Sequence, residues 1–236
     1  MPIRYAFLVL EEHPYGREML RSLLQARLLP LAVIEERSAV AVEEAAKFEA
    51  RMAGFELAPT ITELLAAHPE VRRITVPHHN QDACAEALRA LEPELLVLGG
   101  TRIIRPHIFA LAKHTLNAHP GLLPELRGSA SVAWAIATDQ KVGCTCHFID
   151  AGIDTGPIVA RREIPVHRGD TYERLCWATA RLSAELMTEA VRAYADGTID
   201  SYPQTPGGVT YRNMPAEEVE QVKRKLAEGR YAHLVD

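Results

Sequence analysis

Asn117 and His119 stand two residues apart just ahead of Pro120, and about thirty residues later Asp154 sits between Gly152 and Gly156. Together they offer an amide donor, a proton carrier and a carboxylate able to orient it. That set suits acyl transfer: the donors would face an oxygen that gains negative charge, and the His–Asp pair would handle a proton. Taken alone, Asn-x-His before proline is most often a capped turn. Pro120 and Pro124 stiffen the loop that displays the pair. The glycines on either side of Asp154 permit a tight turn that folds the carboxylate back against His119.

Such a pair needs a strand that ends at Asn117 on the carboxyl edge of a sheet, where open α/β folds bind ligands. The chain supplies that setting. Residues 5–10 form an unbroken apolar run, and residues 15–26 then carry Met19, Leu20, Leu23 and Leu24 at helical spacing. Further strands are expected at 31–34, 74–76, 95–98 and 115–118, with helices at 41–52, 60–67 and 81–91 between them. This alternation predicts an α/β, Rossmann-like, mostly parallel sheet with helices on both faces. From 142 the rhythm changes. Residues 142–149 and 157–164 are two strand-like runs with no room for a helix between them, so they form an antiparallel edge. Asp170, with Glu173 three residues on, is the expected N-cap of a long helix reaching about 194, with Leu175, Thr179, Leu182, Leu186 and Ala190 as its buried stripe. Residues 1–200 thus read as a catalytic domain. Residues 201–236 read as a Pro/Gly loop followed by a charged helical tail.

The net charge of −5 provides no basic stripe for nucleic acid, and no run approaches the ~20 apolar residues of a membrane span. A small molecule is the better-fitting partner. Four cysteines in 236 residues do not form a disulfide framework and suit a reducing cytoplasm. Cys144 and Cys146 alternate on one strand face, which suits two small buried residues better than half a zinc site, and the chemistry needs no metal. Trp134 and Ile136 read as core, and His147 as a structural hydrogen-bonding residue. His78 and His79 read as a loop exposed to solvent or to the edge of a substrate. Glu217, Glu218 and Lys225 read as a solvated helix face.

Several spaced elements agree in order with one known family. Asn117-x-His119-Pro120-x-Leu122-Leu123-Pro124, Arg127-Gly128, Trp134-Ala135-Ile136, Thr145-x-His147 and Gly152-Ile153-Asp154-Thr155-Gly156-Pro157-Ile158 resemble the formyltransferases that use 10-formyltetrahydrofolate. The resemblance runs over residues 95–166. It implies a Rossmann-like catalytic domain in which Asn117, His119 and Asp154 match the catalytic residues. It also implies a folate pocket lined by Leu98, Gly100, Arg102, Ile103 and Ile104 on one side and by Ile149, Asp150 and Gly152 on the other.

The acceptor is approached by exclusion. Glycinamide ribonucleotide transformylases grip a phosphate on a glycine-rich loop after the first strand, where this chain has Glu11-Glu12-His13-Pro14. Methionyl-tRNA formyltransferases add an RNA-binding domain, and formyltetrahydrofolate hydrolases add a regulatory one. The remaining expectation is formylation of a nucleotide-linked amino sugar or a related small amine. The alternatives kept open are a glycinamide ribonucleotide acceptor, water as acceptor, and a folate-binding regulatory protein without turnover. Ser129-Ala130-Ser131 departs from the pattern of the sugar enzymes. The tail could close over the acceptor or supply a homodimer contact.

Overall fold

The computed structural model describes residues 3–235. Its centre is a seven-stranded sheet in the order β3-β2-β1-β4-β5-β7-β8, formed by β1 (Tyr5–Leu10), β2 (Ala32–Glu36), β3 (Arg72–Val76), β4 (Leu95–Leu98), β5 (His114–His119), β7 (Gly143–Phe148) and β8 (Ile158–Glu163). The first five run parallel, while β5–β7 and β7–β8 pair antiparallel, as expected from the loss of helical spacing after residue 142. Tyr5, Phe7 and Val9 face one layer and Ala6 and Leu8 the other, so β1 is buried on both sides, which its unbroken apolar run requires.

Helices α1 (Pro14–Gln25) and α7 (Tyr172–Ala195) pack side by side on one face, over Met19, Leu20, Leu23, Leu186 and Met187. Helices α4 (Asp82–Leu91) and α5 (Pro106–Phe109) bring Cys84, Leu88 and Ile108 to the other face. Between them in sequence lie α2 (Ala39–Arg51) and α3 (Ile61–Leu65), the latter opened by a complete capping box at Thr60 and Glu63. The stripe of α7 is buried at all five expected positions. Its cap differs from expectation: Thr171 accepts the Arg174 N–H, while the Asp170 carboxylate turns back to the His167 N–H and the Arg174 guanidinium.

A third cluster lies beside the sheet. Helix α6 (Ser131–Ala137), the start of α7 and α8 (Ala216–Ala227) enclose Val132, Ile136, Leu175, Val222, Leu226 and Tyr231. Short parallel pairs join β10 (Val209–Tyr211) to β6 (Leu126–Gly128) and β11 (Leu234–Val235) to β9 (Val166–His167), so the segment after α7 is stitched onto the body of the molecule. Lys225 is not a solvated charge: its ammonium donates to the Ile136 carbonyl at 2.8 Å and pairs with Asp139 at 2.7 Å. Ile136 is core, but Trp134 is only half-buried, stacked on Tyr211 with its indole N–H on the Arg212 carbonyl. Among the described residues, no helix is long and apolar enough to cross a membrane.

Candidate active site

Strand order reverses between β1 and β4, and at the carboxyl ends of these strands Leu10 and Gly100 are joined by a 3.1 Å hydrogen bond. A cavity of about 910 Å³ opens there, bounded by His13, Phe48, Arg51, Arg102, Asn117 and Tyr172, among others. Its position is the one the doubly wound topology favours for a ligand. Gly100 has φ +78°, and a Cβ on it would lie 2.7 Å from the His13 ring, so glycine is needed on both counts.

Asn117 and His119 project from the same side of β5. In the register of β5 with β7, Asn117 faces His147 and His119 faces Thr145. Thr145 accepts the Leu123 N–H at 3.0 Å and donates to the Gly121 carbonyl at 2.8 Å, which ties the loop after His119 to β7. His147 donates through Nδ1 to the Phe148 carbonyl at 2.8 Å. Its Nε2 is then free to accept from Asn117 Nδ2 at 3.2 Å, leaving the second amide N–H of Asn117 for the cavity. His147 is the hydrogen-bonding residue expected from the sequence, and its partner is the candidate catalytic amide.

The turn at 152–156 does fold Asp154 against the histidines. One carboxylate oxygen lies 3.5 Å from His119 Nδ1 and accepts the Gly128 N–H at 2.8 Å, and the other lies 3.6 Å from His147 Nε2. Burial would raise the Asp154 carboxyl, but its setting against the His119 ring, the His147 ring and the Gly128 N–H outweighs burial and holds the group well below the usual carboxylate range. His119 is 4% exposed. Its Nε2 donates to the Leu126 carbonyl at 2.7 Å, with Ser131 Oγ at 3.2 Å. Burial pushes its basicity down more than Asp154 pushes it up, so the resting ring is neutral rather than the pre-charged donor that the sequence suggested.

The expected folate-lining residues divide. Gly100, Arg102 and Ile103 border the cavity, and Ile103 is 71% exposed. Leu98 is buried in β4 opposite Asn117, and Ile104 is buried in the core under α5, so neither reaches the cavity. Arg102 is ion-paired with the fully buried Glu36. On the second loop Ile149 packs against the core, and Asp150 accepts the Gly152 N–H at 3.0 Å and the Thr155 hydroxyl at 2.5 Å, shaping the turn before Asp154. Asp150 and Gly152 are exposed, as is the adjacent Ile153, and none of the three borders the cavity. Each of the two loops carries one exposed isoleucine, Ile103 and Ile153, of which only Ile103 borders the cavity.

Two expectations are overturned, one after β1 and one after β3. Glu11 and Glu12 do not line the cavity: Glu11 pairs with Arg37 at 2.6 Å, and Glu12 accepts the Ile61 N–H at 2.9 Å beside Arg73. The wall there is His13, buried and with an unpaired Nδ1, whose basicity burial and then Arg51 lower to about 3. The carboxylates therefore do not exclude an anion. His79 is also not exposed: its N–H donates to Glu36 at 2.9 Å, and its Nε2 lies 3.0 Å from the Ile34 carbonyl. Cys144 and Cys146 are buried on one face as expected, their thiols pushed up to about 12 by burial.

The formyl transferase family model matches residues 23–191 of this chain. A phosphoribosylglycinamide formyltransferase from Mycobacterium tuberculosis is 38% identical over 182 residues, covering 75% of this chain and 80% of that protein. A methionyl-tRNA formyltransferase from Thermodesulfovibrio yellowstonii is 36% identical over 133 residues, covering 55% of this chain and 43% of that protein. The chain spans about half the length of such methionyl-tRNA formyltransferases. Among solved structures, an N-formyltransferase from Helicobacter canadensis in complex with folinic acid and dTDP-3-aminofucose superposes with a TM-score of 0.65 at 15% identity, covering 99% of this chain and 84% of that one. A family match that runs from the end of α1 through the strand that carries Asn117 and His119 and the Asp154 turn to most of α7 means that this chain belongs to the formyl transferase family.

Proposed function

We propose that this protein transfers a formyl group to the primary amine of a small-molecule acceptor, with Asn117, His119 and Asp154 as the reacting machinery. The observation that carries the reading is the Asp154 carboxylate set between His119 and His147, with Asn117, which lines the cavity, held by that same His147. When bound, 10-formyltetrahydrofolate supplies the formyl group on its N10. The donor is inferred from the family and from the folate compounds named with its structural relatives.

As the acceptor nitrogen bonds to the formyl carbon, negative charge develops on the formyl oxygen. The free N–H of Asn117 is available to that oxygen, a contact typically worth ~3 kcal/mol of barrier. Neutral His119 takes up the proton that the amine sheds, and Asp154 stabilises the imidazolium so formed. The proton then goes to N10 as its bond to the formyl carbon breaks, so the products are a formamide and the N–H form of the folate. Ile103, exposed where it borders the cavity, would hold the pterin ring, and Asp150 and Gly152 shape the turn that leads to Asp154.

For the acceptor, a nucleotide-linked amino sugar is supported by the size of the cavity and by the fold shared with sugar N-formyltransferases. Glycinamide ribonucleotide has equal support from the Mycobacterium tuberculosis relative and from the turning away of Glu11 and Glu12. Incubation with 10-formyltetrahydrofolate and a panel of glycinamide ribonucleotide, dTDP- and UDP-linked amino sugars and methionyl-tRNA decides between them. Amine-independent release of tetrahydrofolate would instead indicate a hydrolase, and binding without release a regulatory protein. Four free cysteines, three of them buried, suit a cytoplasmic setting.

A further inference from the structure

Asp154 has φ +52°, in the left-handed region that side-chain-bearing residues avoid. Such a conformation costs on the order of 1–3 kcal/mol and persists only where its surroundings over-determine it. Gly128 N–H holds the side chain, but the backbone of Asp154 is held by a residue from a distant part of the chain. Gln204 Nε2 donates to the Asp154 carbonyl at 2.8 Å and to the Gly156 carbonyl at 2.8 Å. Gln204 Oε1 in turn accepts from Arg127 Nη2 at 2.8 Å and from Arg127 Nε at 3.3 Å. Both amide N–H groups and both lone-pair directions of the carbonyl are engaged. The polarity is also unambiguous, because an arginine can only donate and a carbonyl only accept.

The segment bearing Gln204 is itself anchored on both sides. Before it, Tyr202 and Ile158 exchange hydrogen bonds of 2.8 and 3.0 Å; after it, β10 pairs with β6, the strand that ends in Arg127 and Gly128. The aspartate is thus gripped twice, through Gln204 of the strap on its carbonyl and through Gly128 of β6, on which the strap docks, on its carboxylate.

We propose that Gln204 is a positioning residue for formyl transfer, clamping the Asp154 peptide in its left-handed conformation so that the carboxylate stays between His119 and His147. This rests on the reading of Asp154 as the carboxylate that serves His119. Without the amide, two carbonyls and Arg127 lose their partner, and Asp154 is free to relax to negative φ, which swings its side chain. At 3.5 and 3.6 Å the two histidine contacts have little length to spare. The groups facing the carboxylate are His119 from β5, His147 from β7 and the Gly128 N–H from β6, so displacement should free it from all three.

The test is carboxyl-carbon NMR of the full chain labelled at aspartate, with the Asp154 signal assigned by its disappearance in Asp154→Asn. It is run on Gln204→Ala and on Gln204→Met, which keeps the side chain's length but cannot donate, alongside thermal unfolding. Wild-type Asp154 is expected to stay ionised to the lowest pH at which the chain remains folded. In the Gln204 variants its titration should move up by about one pH unit or more, toward the ordinary value near ~3.9. With 10-formyltetrahydrofolate and the amine panel, Gln204→Met should lower kcat by roughly tenfold or more with KM for the donor little changed. An unchanged Asp154 titration in Gln204→Met, whatever its melting temperature, would make Gln204 a staple of the tail and overturn the inference. Normal turnover in Asp154→Asn would instead overturn the catalytic reading, and the NMR titration would still report on the clamp.

Discussion

Replacing Asp154 with asparagine isolates the charge from the shape of the site. Asn keeps an oxygen for the Gly128 N–H, but it removes a negative charge 3.5 Å from His119 Nδ1 and 3.6 Å from His147 Nε2. At an effective dielectric of about 20, a charge pair near 4 Å is worth about 4 kcal/mol. Only part of that is gained at the barrier, because the proton is in transit there and the carboxylate side chain is 14% exposed; we take ~3 kcal/mol. The resting ring is neutral, so this stabilisation arises only as His119 takes the proton, and it belongs to the transition state rather than to the ground state. The expected result is a fall in kcat of about 10²-fold with little change in KM for either substrate. Tetrahydrofolate release at saturating donor and acceptor measures it. A kcat within about threefold of wild type, or a loss confined to KM, would refute the assignment of Asp154.

Other outcomes follow from the same geometry. Asn117→Ala and His119→Ala should each lower kcat by roughly 10²-fold or more while equilibrium binding of the donor persists; near-normal turnover in either would remove that residue from the mechanism. Burial lowers the basicity of His13, to about 3, and also that of His79 and His119, so on unfolding these rings take up protons below the ordinary histidine value of ~6.5. Stability is thus fully present above that pH and falls as pH drops toward the folded values, by up to ~1.4 kcal/mol per pH unit for each ring. Asp154 adds a loss of the same sign below about pH 4. Urea midpoints that do not change between about pH 7.5 and about pH 5 would contradict this. Gly128→Ala should cost about 2–3 kcal/mol, because φ is +87° and the new methyl would meet the Tyr211 carbonyl oxygen at 2.2 Å; a change under about 0.5 kcal/mol in urea unfolding would contradict it.

What was legible in the sequence was whatever depends on near neighbours in the chain. The apolar run at Tyr5–Leu10 read as a strand and is one buried on both faces, and the shift from helical spacing to two adjoining strands after residue 142 pointed to the antiparallel edge. The two-residue spacing of Asn117 and His119 put them on one side of β5, and the glycines around Asp154 allowed its return. What escaped depends on partners distant in sequence. Glu11 and Glu12 look like cavity carboxylates until Arg37 and the backbone of α3 claim them, and Arg102 looks free until the buried Glu36 does. His79 follows a strand and reads as loop, yet Glu36 and the Ile34 carbonyl draw it inside. Gln204 carries no local signal at all, since a lone glutamine in a Pro/Gly segment acquires its role only when β10 docks on β6.

The central claim is that this site moves a formyl group from 10-formyltetrahydrofolate to an amine. Mass detection of the panel after incubation with the wild-type protein tests it most directly. The account predicts release of tetrahydrofolate that depends on one amine of the panel, and a matching amount of that amine recovered as its formamide. Binding of 10-formyltetrahydrofolate with no release in the presence of any of these amines, or release matched only by formate, would contradict it.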